Sequence, residues 1–307
     1  MKDPLELYSY PEEWVEREAE KIGFDRVRSR IESGLYILTH RGWLRRGITT
    51  ATTASASAVG AIASMFGESE RVEVWTPAGI CIEVGVRAKN GVAVAKKFSG
   101  DHSFDVTDGV GIRAEVSESL EFGEGVGRFR GKPAVSLSAR NQILRNIEMV
   151  REKYDYDGSV RITIPEGKAL ATLTDNPRIG IKGGLSILGT TGFVEPWCDE
   201  LVDAKVVVAK QYDRVVLTTG RKGWKWAKEN LKGFQPFVMG VYFEKALREL
   251  DGEIVIAGLP SLIIKWAIPE MRGKILRGID PRKYRKTVLE KAREINSNVS
   301  DVILLRG

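Results

Sequence analysis

"RVVLTTGRKGWKWAKENL", residues 214–231, moves from an apolar run (Val215 to Leu217) through two threonines and two glycines into helix formers. This order predicts a strand, a glycine turn and a helix. "EIVIAGLPSLIIKWAI", residues 253–268, repeats it, with a strand at Ile254 to Ala257, a turn at Gly258 to Ser261 and a helix after. With "VYFEKALREL" (241–250) as a helix between them, the two units predict a small α/β domain with a Rossmann-like parallel sheet flanked by helices. In open sheets of this kind, ligands bind beyond the carboxyl ends of the strands, where glycine turns turn backbone amides toward the ligand. Gly220 and Gly223 permit that approach, and the Thr218 and Thr219 hydroxyls suit ribose or carboxylate groups. The same pattern also serves as a plain turn, and no complete dinucleotide fingerprint accompanies it.

Upstream the period changes. "RVEVWT", "CIEVGV", "GVAVAKKF" and "GIRAEVS" alternate in the manner of antiparallel strands and are broken by "TPAG" and "KNG". Before them, Thr50 to Met65 is dominated by small residues, with Val59, Ile62 and Met65 at helical spacing, and reads as a buried helix. Thr49, Thr50 and Thr53 fall at its start, where hydroxyls cap free amides or the amides hold an anion. Residues 12–32 read as one or two surface helices, "SARNQILRNIEMVREKY" as an amphipathic helix and "SVRITIP" as a strand. The expected fold is therefore an α+β domain with a mixed, largely antiparallel sheet over residues 1–196, followed by the smaller α/β domain over 197–307.

The densest stretch is "TDNPRIGIKGGLSILGTTGFVEP", residues 174–196. Five glycines stand within thirteen residues there (Gly180, Gly183, Gly184, Gly189 and Gly192), together with the cations Arg178 and Lys182. Each glycine inside an element costs about 0.5–1 kcal/mol relative to alanine, so the cluster has a purpose, either close packing or a ligand. A second candidate is "KKFSGDHSFDVTDGVG", residues 96–111, where Asp101, Asp105 and Asp108 stand with His102. Clustered carboxylates can shift one another's pKa and supply a base or hold a cation, or they can simply bond the local backbone.

Composition narrows the class. The 307 residues are 43% hydrophobic and 29% charged, as in ordinary globular proteins, and no window approaches the ~18 apolar residues of a membrane span. The N-terminus has no positive end followed by an apolar run, so a cytoplasmic protein is expected. Two cysteines and two distant histidines argue against a disulfide framework or a zinc site. The net charge of +6 fits nucleic acid, an anionic surface or an anionic small ligand.

Five stretches together resemble the cobalt-precorrin-5B C(1)-methyltransferases of the anaerobic cobalamin pathway. "NPRIGIKGGLSILGTTGFVEP" is similar to that family's long signature, "LRRGITTATTASASA" to its opening and "GDHSFDVTDG" to its Asp-rich loop. "EGVGRF" and "LTTGRKGWKWA" resemble its two glycine turns, so the likeness runs from about residue 44 to 267. Two departures stand out: Asp108 occupies a position that is usually His, and "GLPSLIIKWA" keeps Gly258 and Lys265 but lacks the usual His and first Lys.

The resemblance implies a two-domain enzyme that moves a methyl group from S-adenosylmethionine to carbon-1 of a tetrapyrrole whose cobalt belongs to the substrate. Neither nucleic acid nor membrane is then a partner, the protein itself has no metal site, and an oligomer is compatible. It further implies Thr218, Thr219, Gly220, Gly223 and Gly258 at S-adenosylmethionine. Thr49, Thr50, Arg178, Lys182, Gly183, Gly184, Ser186, Gly189, Thr190, Thr191 and Gly192 would lie at the tetrapyrrole, and Asp101 would serve proton removal or substrate orientation. Arg45, Arg46, Arg178, Lys182, Arg221 and Lys222 would hold the substrate's carboxylates by charge-assisted bonds. The alternative is an RNA- or anion-binding module using the basic run Arg272, Lys274, Arg277, Arg282, Lys283, Arg285 and Lys286, although no aromatic stacking motif accompanies it. A nucleotide phosphotransferase is disfavoured, because "GGLSILGTTG" lacks the Gly-Lys-Ser/Thr ending of a P-loop.

Overall fold

The computed structural model describes residues 1–274, 276 and 279–305, and Arg277 of the basic run lies outside them. It divides into two compact units, one formed by Asp25–Ile37 and Trp43–Trp197, the other by Met1–Phe24, Leu38–Gly42 and Cys198–Gly307.

In the first unit the small-residue helix α1 (Thr50–Ala63) is buried along its entire length. Alanines, serines and glycine let it pack on both the sheet and a second helix; a Cβ at Gly60 would stand 3.1 Å from the Ala93 methyl. It ends at Ala63, and Met65, expected inside it, is half exposed. The sheet is built from β1 (Ser69–Trp75), β2 (Cys81–Lys89), β3 (Val92–Lys96), β4 (Gly111–Ser117), the short β5 (Glu121–Phe122) and β6 (Ser159–Thr163). Its order is β1-β2-β3-β4-β6-β5, antiparallel except for the parallel β6–β5 pair. Burial alternates residue by residue along β2, which is why its period was readable. Helix α2 (Leu137–Tyr154) packs against α1 and buries Ile143, Ile147 and Val150.

In the second unit, α3 (Asp199–Ala209) precedes β7 (Arg214–Thr218), α4 (Arg221–Asn230), β8 (Gln235–Val238), α5 (Phe243–Glu249), β9 (Glu253–Gly258), α6 (Pro260–Ala267), α7 (Arg285–Ile295) and β10 (Val299–Leu304). All four strands are parallel, in the order β8-β7-β9-β10. Two of them, β8 and β10, are strands that the sequence patterns quoted for this half do not include. β8 contains Pro236, which an edge strand tolerates, and β10 lies beyond the last recognisable motif.

Residues 1–24 were expected with the first domain, and here the expectation is corrected. Met1–Phe24 groups with the second unit because an apolar and ionic arm ties it there. Leu5, Tyr8 and Tyr10 are buried, Tyr8 stacks on Phe237 at 5.5 Å, and the Glu6 carboxylate meets the Lys205 ammonium at 2.5 Å and accepts the Val238 amide at 2.8 Å.

Three cations of the basic C-terminal run are neutralised in place. Arg282 pairs with Asp280 at 3.0 Å, Lys286 with Glu290 at 3.8 Å, and Arg285 with Asp301. This is the pattern of a solvated helix face. No helix among the described residues is long and apolar enough to cross a membrane.

Candidate functional site

The glycine-rich stretch of the first unit wraps the beginning of α1. The Thr49 amide donates to Gly192 O at 3.0 Å and the Ala51 amide to Leu188 O at 3.1 Å, while the Thr49 hydroxyl accepts from the Thr52 amide at 3.2 Å. Thr50 Oγ1 both accepts from the Leu188 amide at 2.9 Å and donates to Leu188 O at 3.2 Å. The amides offered to an anion at this helix start are therefore largely taken by the loop itself.

Several glycines serve this wrapping. A Cβ at Gly189 would fall 2.6 Å from Thr49 Oγ1, one at Gly192 2.6 Å from the Thr76 Cβ, and one at Gly184 2.1 Å from Gly125 O. Gly184 and Leu185 pair in parallel with Gly125 and Val126, which requires that approach. Thr191 is likewise turned inward, its hydroxyl shared with the Phe193 main chain. Gly184, Thr191 and Gly192, expected at a ligand, thus face protein.

The outer side of the same loop is open. Thr49, Thr50, Ser186, Leu188, Gly189 and Thr190 line a pocket of about 420 Å³ together with Lys97, Thr107, Thr174, Asn176 and Phe193. Buried Asn176 supports it, donating to Gly184 O at 3.3 Å and accepting from the Ser186 hydroxyl at 3.3 Å. Five of the expected tetrapyrrole residues, Thr49, Thr50, Ser186, Gly189 and Thr190, are brought together here. Lys182 and Gly183 instead line a neighbouring pocket, and Arg178 is exposed and paired with Asp175 at 3.2 Å.

The Asp-rich loop contributes a residue the sequence reasoning passed over. Lys97 is buried against the pocket, its Nζ 2.6 Å from Asp105 Oδ2 and 2.8 Å from Ser99 Oγ. Its signal was the alternation itself, since Ala93 and Ala95 point inward and Lys97 is next in that period. Burial works against the Asp105 carboxylate, but hydrogen bonds from Lys97 and from the Thr107 hydroxyl and amide outweigh it. They hold its pKa well below the usual carboxylate range. Asp108 accepts the Ser99 amide at 2.8 Å, a backbone staple. Asp101 accepts from the Arg45 amide at 2.7 Å and from Arg45 Nε at 3.0 Å, and this bond and charge raise the Arg45 pKa. Asp101 is not among the residues lining the 420 Å³ pocket.

Of the cations expected to hold carboxylates, Arg46 is excluded. It is fully buried and bound to Glu195 at 3.0 Å. Arg221 donates to Leu5 O at 2.9 Å and stacks on Trp224 at 4.0 Å, so its position is set by the second unit's own packing, whereas Lys222 is exposed.

In the second unit the chain runs from β7 to β8 on one side and then crosses to β9 on the other, so the strand order reverses between β7 and β9. Ligands of open parallel sheets bind at such a point. Thr219, Gly220 and Gly258 stand there: a Cβ on Gly258 would meet Thr219 Oγ1 at 2.4 Å, and one on Gly220 would meet nothing within 4 Å. Gly220 directly precedes α4, whose first amides point outward. Gly223 is packed under β9, 2.9 Å from Ala257 O by the same measure. The Thr218 hydroxyl is not presented to a ligand, because it is buried and donates to Phe237 O at 3.0 Å.

Comparison with known proteins supplies a further finding. Residues 38–196 match the family model described as CbiD. A relative from Archaeoglobus fulgidus, named cobalt-precorrin-5B C(1)-methyltransferase, is 52% identical over 268 residues, covering 86% of this chain and 87% of the relative. A relative of the same name from Methanoculleus marisnigri is 39% identical over 289 residues, covering 88% of this chain and 85% of its own. A crystal structure of the cobalamin biosynthesis protein (cbiD) from Archaeoglobus fulgidus superposes with a TM-score of 0.85 at 47% identity, covering 99% of each chain.

Proposed function

The chain belongs to the CbiD family, and from that premise we propose that it is an S-adenosylmethionine-dependent methyltransferase that converts cobalt-precorrin-5B to cobalt-precorrin-6A by methylating carbon-1. The observation that carries this reading is the 52% identity to a relative of that name across 86% of the chain. The free cysteines Cys81 and Cys198 are at home in the reducing cytoplasm, where we place the reaction.

We read the four-stranded parallel sheet as the Rossmann-like half of the enzyme. Thr219, Gly220 and Gly258 line the S-adenosylmethionine site, supported from behind by Thr218 and Gly223. The open side of Gly220 and the close Gly258–Thr219 approach form a backbone cradle of the kind a nucleoside requires. Bound there, the sulfonium supplies an electrophilic methyl group, which needs no nucleophilic side chain. The protein's part is alignment and exclusion of water.

The tetrapyrrole belongs to the first unit, against the outer side of 186–190. Thr50 and Ser186 fix that wall through their loop bonds, and Lys97, already neutralised by Asp105, lends it a donor without a large net charge. Asp101 acts on substrate orientation through Arg45, whose side chain it holds at 2.8 Å.

Isothermal titration of S-adenosylmethionine into wild-type protein and the Thr219→Val/Gly220→Val variant checks the first assignment. The variant should bind at least about tenfold more weakly, a loss of roughly 1.4 kcal/mol, and equal affinities would refute it. Labelled S-adenosylmethionine incubated with cobalt-tetrapyrrole intermediates tests the reaction itself, with label transferred to the ring as the expected result.

A further inference from the structure

A second pocket of the first unit lies along the same glycine-rich signature. It encloses about 560 Å³, and its wall carries Arg128, Arg161, Lys168 and Lys182 against Glu121 and Glu124. Among the described residues none of the four cations is in an ion pair. Arg128 spends one bond on Gly131 O at 3.1 Å. This sets them apart from Arg45, Arg46, Arg178, Arg282, Arg285 and Lys286, whose charges are answered locally.

The backbone fixes their spacing. Arg128 and Lys182 are direct partners across an antiparallel pair and therefore project from one face. Arg161 stands on β6, its Nε only 2.8 Å from where a Cβ on Gly123 would lie, so that glycine leaves the guanidinium its place. Lys168 follows Gly167, which packs on Gly125: a Cβ there would meet Gly125 O at 2.2 Å. Close-packed main chain at Gly125, Gly167 and Gly184 thus carries four unanswered cations. A cluster built in this way favours several separate carboxylates, each taken by charge-assisted hydrogen bonds.

We propose that this pocket binds the peripheral carboxylates of the tetrapyrrole, with Arg161 and Lys168 as specificity-determining residues that the family signature does not include. The proposal rests on the methyltransferase reading for the identity of its ligand. Two observations favour a polycarboxylate over nucleic acid. The signature segment passes from this pocket at Lys182 and Gly183 to the 420 Å³ pocket at Leu185 and Ser186, a reach of at most ~13 Å, so one macrocycle with flexible arms can engage both. The lining also offers no exposed aromatic ring for base stacking, since Phe122 is buried.

The test uses the full chain, wild type and Arg161→Gln/Lys168→Gln, with uroporphyrin (eight carboxylates) and mesoporphyrin (two) as fluorescent probes. Wild type should prefer uroporphyrin, and the double variant should lose affinity for it on the order of tenfold or more while its mesoporphyrin affinity and thermal midpoint hold. In turnover, KM for the tetrapyrrole should rise with kcat retained. Equal uroporphyrin affinity in the two proteins overturns the site. Structured RNA that displaces uroporphyrin from wild type but not from the variant overturns the ligand class. Carboxylate-graded binding by a protein that transfers no methyl group upholds the site and removes the methyltransferase reading instead.

Discussion

Lys97 and Asp105 show how one pair changes the meaning of a residue cluster. Three aspartates in one loop suggested a base or a cation site, yet each carboxylate has a settled partner: Arg45 for Asp101, Lys97 for Asp105 and the Ser99 amide for Asp108. Because the folded pKa of Asp105 is depressed, its stabilisation is complete above the ordinary aspartate value of about 3.9 and is lost as pH falls toward the lower folded value. Acid titration of stability should therefore show wild type losing more than Asp105→Asn below about pH 4, while the two curves run parallel at neutral pH. Parallel curves throughout would mean that the Lys97 contact contributes nothing. The sequence could show that acids were clustered; it could not show which base each would meet, since Arg45 and Asp101 are separated by 56 positions.

At the scale of the element, α1 explains why a helix of threonine, serine and alanine can occupy the centre of a unit. Its small side chains admit the sheet closely, and its hydroxyls repair the polar groups that such packing buries. Ser57 Oγ accepts the Ala95 amide at 3.1 Å and reaches Ile112 O at 2.7 Å and Thr53 O at 3.1 Å, joining the helix to β3 and β4. Ser57→Ala should cost about 1–3 kcal/mol, since it leaves a buried amide without its hydroxyl acceptor. Urea denaturation should read this as a lower midpoint at unchanged slope. The helix, its capping Thr49 and the alternating strands were all legible, because each follows from local period and local chemistry. The wrapping of α1 by residues 188–192 was not, because it depends on an approach between segments 138 residues apart.

For the molecule as a whole, the +6 charge acquires a location. Arg128, Arg161, Lys168 and Lys182, none in an ion pair among the described residues, bring four cations to one 560 Å³ pocket that only Glu121 and Glu124 oppose. Substrate capture should then respond to ionic strength. Raising salt from low to several times physiological, where screening shortens from roughly 10 Å at 0.1 M to 3 Å at 1 M, should raise KM for the tetrapyrrole several-fold and leave kcat nearly constant. A kcat that falls in parallel would point to salt acting on the chemical step or on folding.

Local order along the chain determined the strand–turn–helix units of the second half, the antiparallel strands and small-residue helix of the first, and the signature that places the protein in its family. Periodicity and glycine spacing are written in neighbouring residues, and short-range sterics suffice to read them. Tertiary structure alone decided that Met1–Phe24 joins the second unit, that Thr218 is spent on the sheet, and that Arg46 is buried. It also divided the signature itself. Gly184, Gly189 and Gly192 are there because a Cβ would strike Gly125, Thr49 or Thr76, whereas Ser186 and Thr190 border open space beside the helix start, as Gly220 does in the second unit. A glycine looks the same in sequence whether it makes room for backbone or for a ligand, and only the atoms that fold around it tell the two apart.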